Sequence, residues 1–161
     1  MDRRRAARYA AIQALYQIDM ADRPAVEVVA EFERHRLDDL FVVEETGGQS
    51  RGIDRELFQR LVIGTVAEAE RLDPVIGAHL ADGWTLQRCG YTLRAMLRAG
   101  AFELAKRPEA DVGTIISEYV ELARGFFDGN EPGFVHAVLD HVAPTLRQPP
   151  ASLADLVEPD A

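Results

Sequence analysis

Arg3, Arg4, Arg5 and Arg8 stand within the first eight residues, and Tyr9, Gln13 and Tyr16 follow at helical spacing. At 100° per residue, Arg5, Tyr9, Gln13 and Tyr16 share one face of a helix, with Arg4 and Arg8 at its margin. Guanidinium groups hold phosphates, aromatic rings stack on unpaired bases, and an amide can read a base edge. Together they suit a single-stranded, phosphate-bearing polymer. The plainer reading of a terminal charge run is a solvated helix end. Rings and an amide on the same face distinguish the first reading from the second.

Other clusters carry less. His136 and Asp140 are one helical turn apart, but His141 lies off their face, and metal sites take three or four ligands, so surface histidines are expected. Glu118 and Glu121, with Arg124 at the next i+3 position, are expected to face out as surface ion pairs rather than to work as acid and base. Cys89 is the only cysteine. With no histidine nearby in sequence to activate it, it reads as a small, partly buried thiol, and one cysteine fits a reducing cytoplasm. Phosphate-cradling glycine loops, dinucleotide fingerprints, zinc-protease motifs and nucleophile elbows do not occur in the sequence. No catalysis, cofactor or metal is expected.

The chain has 161 residues, nearly half of them hydrophobic, enough for one domain with a packed core. No apolar run approaches the ~20 residues of a membrane span, and no secretory signal is visible. The net charge is −9, yet the first eight residues carry four arginines against one aspartate, leaving −12 for the rest. Such a chain binds nucleic acid at a local patch only, and its acidic remainder suits a basic partner.

Helices must position the basic head. The first carries Ala7, Ala11, Ala14, Leu15 and Ile18 on a core-facing stripe and should end near Met20, before Asp22-Arg23-Pro24. A second is expected over about 25–40, and Glu44–Gly52 reads as a loop. A third carries Phe58, Leu61, Val62, Thr65, Val66, Ala69 and Leu72 at helical spacing. Asp73-Pro74 reads as cap and first residue of a short fourth helix, about 74–80. Trp84 would anchor the following corner. The fifth helix, about 92–106, is apolar on most sides and reads as the bundle's centre, with Ala99-Gly100-Ala101 admitting close neighbours. A sixth over 112–127 is capped by Asp111. A seventh begins with Asn130 as cap and Pro132 in its first turn, and ends before Pro144. No strand is expected. The fold class is all-α, about seven helices over residues 1–147, followed by a disordered acidic, proline-containing tail at 148–161.

Four segments resemble the NusB family of bacterial transcription antitermination factors. Arg3-Arg4-Arg5 with Ala10-Ala11-Ile12-Gln13-Ala14-Leu15-Tyr16 resembles that family's basic first helix. Trp84-x-Leu86-x-Arg88 followed by Met96-Leu97-Arg98-Ala99-x-x-Phe102-Glu103-Leu104, then Ile116–Arg124, then Phe134–Asp140 resemble its later segments in order. His136-Ala137 replaces the family's Asn-Gly, Leu93 stands where an acidic residue is common, and Glu44–Gly52 looks longer than usual. The resemblance implies two packed three-helix subbundles with a buried fifth helix. It also implies binding of the boxA element of ribosomal RNA operon transcripts together with the ribosomal protein NusE, within the RNA polymerase antitermination complex and its other Nus factors. It places RNA at Arg4, Arg5, Arg8, Tyr16, Asn130 and Phe134, to which the residue pattern adds Gln13, and NusE around His79, Asp82 and Arg88. Two alternatives remain: a NusB-like protein-interaction module with little RNA binding, and a regulatory domain like that of the ribosomal-RNA cytosine methyltransferase. The latter is disfavoured because no glycine-rich cofactor motif follows residue 148.

Overall fold

A computed structural model describes residues 2–37 and 52–147, all of the regular structure being helical. The expected tail at 148–161, most of the expected loop, and residues 38–40 of the second expected helix lie outside the described residues. The helices are α1 (Arg3–Ala21), α2 (Ala25–Glu31), α3 (Arg55–Ala78), α4 (Tyr91–Lys106), α5 (Val112–Phe126) and α6 (Glu131–Leu146). One π-helical turn, Phe32–Arg36, continues α2, and a 3₁₀ turn, Leu86–Cys89, precedes α4.

Local signals set most boundaries. The Asp2 carboxylate caps α1, accepting from the Arg4 N–H at 2.7 Å. Asp22, in the left-handed conformation at φ 51°, ends it, its N–H returning to the Ile18 carbonyl. Asp54 and Asp111 cap α3 and α5 by accepting from Leu57 N–H and Thr114 N–H, each at 3.0 Å. Three expectations are corrected. The third and fourth expected helices are one 24-residue helix, α3, with Pro74 inside it. An interior proline costs about 3 kcal/mol, but continuity buries Leu72 and Ile76 on either side of it, and Asp73 binds Arg98 instead of capping. Likewise α6 runs through Pro144 to Leu146. Asn130 precedes α6 but its side chain makes no capping bond.

The expected central helix is α4. It packs against α1, α3, α5 and α6, joining the set α1–α2–α3 to the set α4–α5–α6. Its small residues admit neighbours: a Cβ on Gly100 would stand 2.8 Å from Leu139 of α6. Gly64 of α3 receives the Phe102 ring, which a Cβ would meet at 2.3 Å. Leu93, the departure from the family's acidic residue, is buried in the core.

Charged groups also lie inside. Glu103 of α4 is fully buried and accepts from Arg8 Nε and Nη2 at 2.7 and 2.9 Å, from Arg107 Nη1 at 2.5 Å and from the Tyr119 hydroxyl at 2.5 Å. Eleven residues further along α1, Asp19 accepts from Arg94 Nε at 2.7 Å and Arg98 Nη1 at 3.4 Å. Arg98 also holds Asp73 of α3 through two bonds, 2.8 and 2.7 Å. Position 8 meeting 103, and 19 meeting 94 and 98, make α1 antiparallel to α4 and tie it down near both ends.

Two predictions follow from this packing. Gly64→Ala gains up to about 1 kcal/mol of helix propensity but overpacks a buried ring at a cost of about 1–3 kcal/mol. Net destabilisation in urea titration is expected, and Phe102→Leu should relieve it. Burial alone would raise the Glu103 pKa, but hydrogen bonding and charge from Arg8, then Tyr119 and Arg107, hold it below the ordinary range. A depressed carboxylate stabilises the fold above its unfolded pKa of about 4.3, and the contribution is lost as pH falls through the folded value. The stability advantage of wild type over Glu103→Gln should therefore be full at pH 7 and shrink below about pH 4.

Candidate nucleic-acid interface

The caps, the turn at Asp22 and the two ion-pair anchors rotate α1 so that its alanine stripe faces the core and Arg5, Tyr9, Gln13 and Tyr16 line the side towards α5 and the start of α4. Arg5 donates through Nε and Nη2 to both Glu118 oxygens, at 2.9 and 3.1 Å. Tyr9 stacks on Phe126 at the end of α5, ring centroids 5.1 Å apart. Gln13 and Tyr16 line a groove of about 460 Å³ whose far walls include Arg36, Thr92 and Phe126. Tyr16 is 37 % exposed and meets Tyr91, 40 % exposed, edge to face at 5.7 Å. The Arg94 guanidinium lies beneath Tyr91, 5.1 Å from its centroid.

The expected face is thus assembled, with three changes. Arg8 is corrected: it is 5 % exposed, and its guanidinium is committed to Glu103, so it faces the core and not a phosphate. Burial opposes its charge, but the hydrogen bonds and charge of Glu103 outweigh burial and raise its pKa. Glu118 is also corrected. It turns inward to Arg5 across helices, leaving Glu121 to pair with Arg124. Arg4 looks the other way around α1, lining hollows with Asp2, Arg3 and Asp54 and with Glu56, Arg60 and Arg107. The basic head therefore wraps the end of the helix instead of forming one patch.

Residues 79–91 form the second region. His79 ends α3, its Nδ1 2.8 Å from the Val75 carbonyl oxygen, Asp82 is exposed, and Arg88 Nη1 donates to the Gly83 carbonyl at 2.6 Å. Trp84 does not anchor a buried corner: it is 47 % exposed, between the Arg88 guanidinium at 5.4 Å and the Phe134 ring at 6.1 Å. Phe134 of α6 is thereby placed with Arg88, the residue expected to meet a protein partner. Asn130 is exposed one turn before it. The exposed rings of Tyr91 and Trp84 are additions that helical periodicity did not single out, because Tyr91 gains meaning only from Tyr16 across the groove. Cys89 donates to the Thr85 carbonyl at 3.4 Å, and burial pushes its thiol pKa up. Among the described residues no group of three metal-ligating side chains comes together and no helix is long and apolar enough to cross a membrane.

Fold and surface define a small all-helical protein whose first helix carries a polar and aromatic face with the Arg5–Glu118 pair at one end. The sequence profile of the NusB family matches residues 5–144. The chain belongs to the NusB family. It is 47 % identical over 146 residues to the transcription antitermination protein NusB of Rhizobium rhizogenes, covering 91 % of this chain and 89 % of that one. It is 46 % identical over 150 residues to the NusB protein of Rhizobium johnstonii, covering 92 % and 91 %. Among solved structures it is similar to NusB from Aquifex aeolicus, with a TM-score of 0.70, 26 % identity and coverage of 94 % and 96 %. It is also similar to a chain in the crystal structure of the antitermination factors NusB and NusE in complex with double-stranded RNA, with a TM-score of 0.69, 25 % identity and coverage of 88 % and 96 %.

Because the Arg5 side chain is 39 % exposed, its pair with Glu118 is worth at most about 1 kcal/mol. Glu118→Gln should leave thermal unfolding within a few degrees of wild type and free the guanidinium. Affinity for a single-stranded oligonucleotide should then rise severalfold at low salt. Unchanged affinity would remove Arg5 from the interface.

Proposed function

We propose that this protein is a transcription antitermination factor that binds boxA RNA of nascent ribosomal RNA operon transcripts together with NusE. The observation that carries the proposal is the α1 face: Arg5, Gln13 and Tyr16 stand in one line beside Tyr91 in a chain of the NusB family. Arg4 and Arg5 hold phosphates, and Tyr16 offers a ring to an unstacked base. Arg8 positions the helix from beneath. Phe134 and Asn130 meet the RNA as it passes Trp84, where NusE docks around His79, Asp82 and Arg88. The acidic remainder of the chain repels a polyanion and attracts a basic ribosomal protein, so RNA affinity should depend on NusE. The pair then joins RNA polymerase and the other Nus factors. The role is one of binding and not of catalysis, a reading that membership of the NusB family supports.

The solved relative holds double-stranded RNA. Exposed rings on the surface described here favour single strands, whose bases are free to stack. Filter binding with a boxA RNA, its duplex form, and NusE present or absent tests the proposal. Single-stranded RNA with NusE should bind tightest. Each single-strand phosphate contact adds about −0.7 to the slope of log affinity against log salt. Arg4→Ala with Arg5→Ala should therefore flatten that slope by about 1.4. Affinity indifferent to salt and to both substitutions would leave only the protein-interaction module.

A further inference from the structure

We infer that Arg94, buried near the start of α4, is a positioning residue shared by the two contact surfaces, and that through it NusE at the 84–88 turn and RNA at the α1 face strengthen each other's binding. The inference rests on the RNA and NusE reading and deepens it, by naming the side chain that joins the two contacts while touching neither ligand.

The turn depends on Arg94 for its closure. Between α3 and α4 the chain passes two glycines at positive φ, Gly83 at 85° and Gly90 at 79°. The 3₁₀ helix between them has only four residues, Leu86–Cys89. So short a helix ends in carbonyls without partners further along the chain. Arg94 Nη1 donates to two of them, Leu86 at 3.1 Å and Gln87 at 3.3 Å. Trp84 and Arg88, the Arg88 side chain bonded back to the Gly83 carbonyl, are therefore presented by a turn fastened to α4. A loop ordered before its partner arrives loses less freedom on binding.

The rest of the guanidinium faces the RNA side. Its Nε donates to Asp19 Oδ2 at 2.7 Å. Asp19 stands three residues after Tyr16, on the same side of α1. The cation also lies 5.1 Å from the centroid of Tyr91, whose ring meets Tyr16 edge to face. Arg98, the second donor to Asp19, is committed to Asp73 of α3 by two bonds. Arg94 thus connects the turn, Tyr91 and α1 through one rigid, planar fork. Displacing the turn draws the guanidinium from its carbonyls, and displacing the guanidinium removes what Tyr91 rests on and what Asp19 holds. NusE bound to Trp84 and Arg88 favours the engaged arrangement, which keeps Tyr91 against Tyr16 for RNA. A ligand shifts such an equilibrium only by binding one arrangement better, and the effect is reciprocal.

The full chain is titrated with labelled boxA RNA, with and without saturating NusE, and with NusE, with and without RNA, at two salt concentrations. Wild type should give the same enhancement factor in both directions, about 5- to 150-fold. Arg94→Lys keeps the charge, and so the salt-sensitive attraction, but has no fork to span carboxylate and carbonyls. It should cut the factor severalfold at both salts. Asp19→Asn, which breaks only the link to α1, should cut the factor likewise while NusE alone binds as tightly as to wild type. It decides the matter should the lysine protein fail to fold. A purely structural part for Arg94 lowers both separate affinities and leaves the factor unchanged, which overturns the inference. A factor retained in both variants assigns the coupling to direct contact between RNA and NusE and also overturns it, as does a wild-type factor of 1 with both ligands bound. Failure of wild type to bind RNA or NusE at all overturns the function itself, a result distinct from these.

Discussion

A carboxylate without solvent exposure, Glu103 in the last turn of α4, is the group on which the arrangement of this protein depends. Each of its oxygens accepts two bonds, so the desolvated charge is compensated by two guanidinium groups and a phenol. Burial and the Glu103 charge push the Tyr119 pKa well above its ordinary range, which keeps its hydroxyl a donor. Removing one partner of such a cluster leaves the buried charge held by fewer donors, which is destabilising. Because Arg8 is one of those partners, the penalty also fixes the rotation of α1. An α1 made of alanines could slide on its apolar stripe with modest loss. A guanidinium that must meet Glu103, and an Asp19 that must meet Arg94 and Arg98, cannot.

The interface inherits that rotation. With Arg8 turned in, Arg5, Tyr9, Gln13 and Tyr16 are carried to the side of α5 and the start of α4. There Glu118, Phe126, Thr92 and Tyr91 complete their surroundings. The arginines divide accordingly. Arg8, Arg94 and Arg98 are spent inside on acidic partners, and Arg5 is held by Glu118. The positive surface left for a polyanion is small, in a chain of net charge −9. Little attraction for a polyanion, and attraction for a basic partner, is the electrostatic consequence.

Helical periodicity made much of this legible in advance. The all-helical class, the buried central helix, the small residues at Gly100, the Asp111 cap and the shared face of Arg5, Tyr9, Gln13 and Tyr16 all depend on spacings within one helix. What was hidden depends on contacts between distant positions. Arg8 sat at the border of two faces, and only Glu103, 95 residues away, decides which way it turns. Glu118 looked like part of a surface run until α1 brought Arg5 to it. Asp73-Pro74 carried a strong local signal for a new helix, overruled by the apolar residues on both sides and by Arg98. Tyr91 and the groove had no signal in one dimension, because their meaning comes from α1, α2 and α5 meeting in space.

The central claim is that Arg8 presents the interface from beneath without touching RNA. Hydrogen exchange of Arg8→Met, read alongside its RNA affinity with NusE, tests this most directly. Glu103 keeps Arg107 and Tyr119 in that variant, so the link to α1 alone is cut. The predicted result is a selective loss of protection in α1 amides, with α4–α6 preserved, and a matching loss of RNA affinity at an unchanged salt slope. Unaltered α1 protection contradicts the account, above all if RNA affinity still falls with a flatter salt slope, for then Arg8 would be a phosphate contact after all.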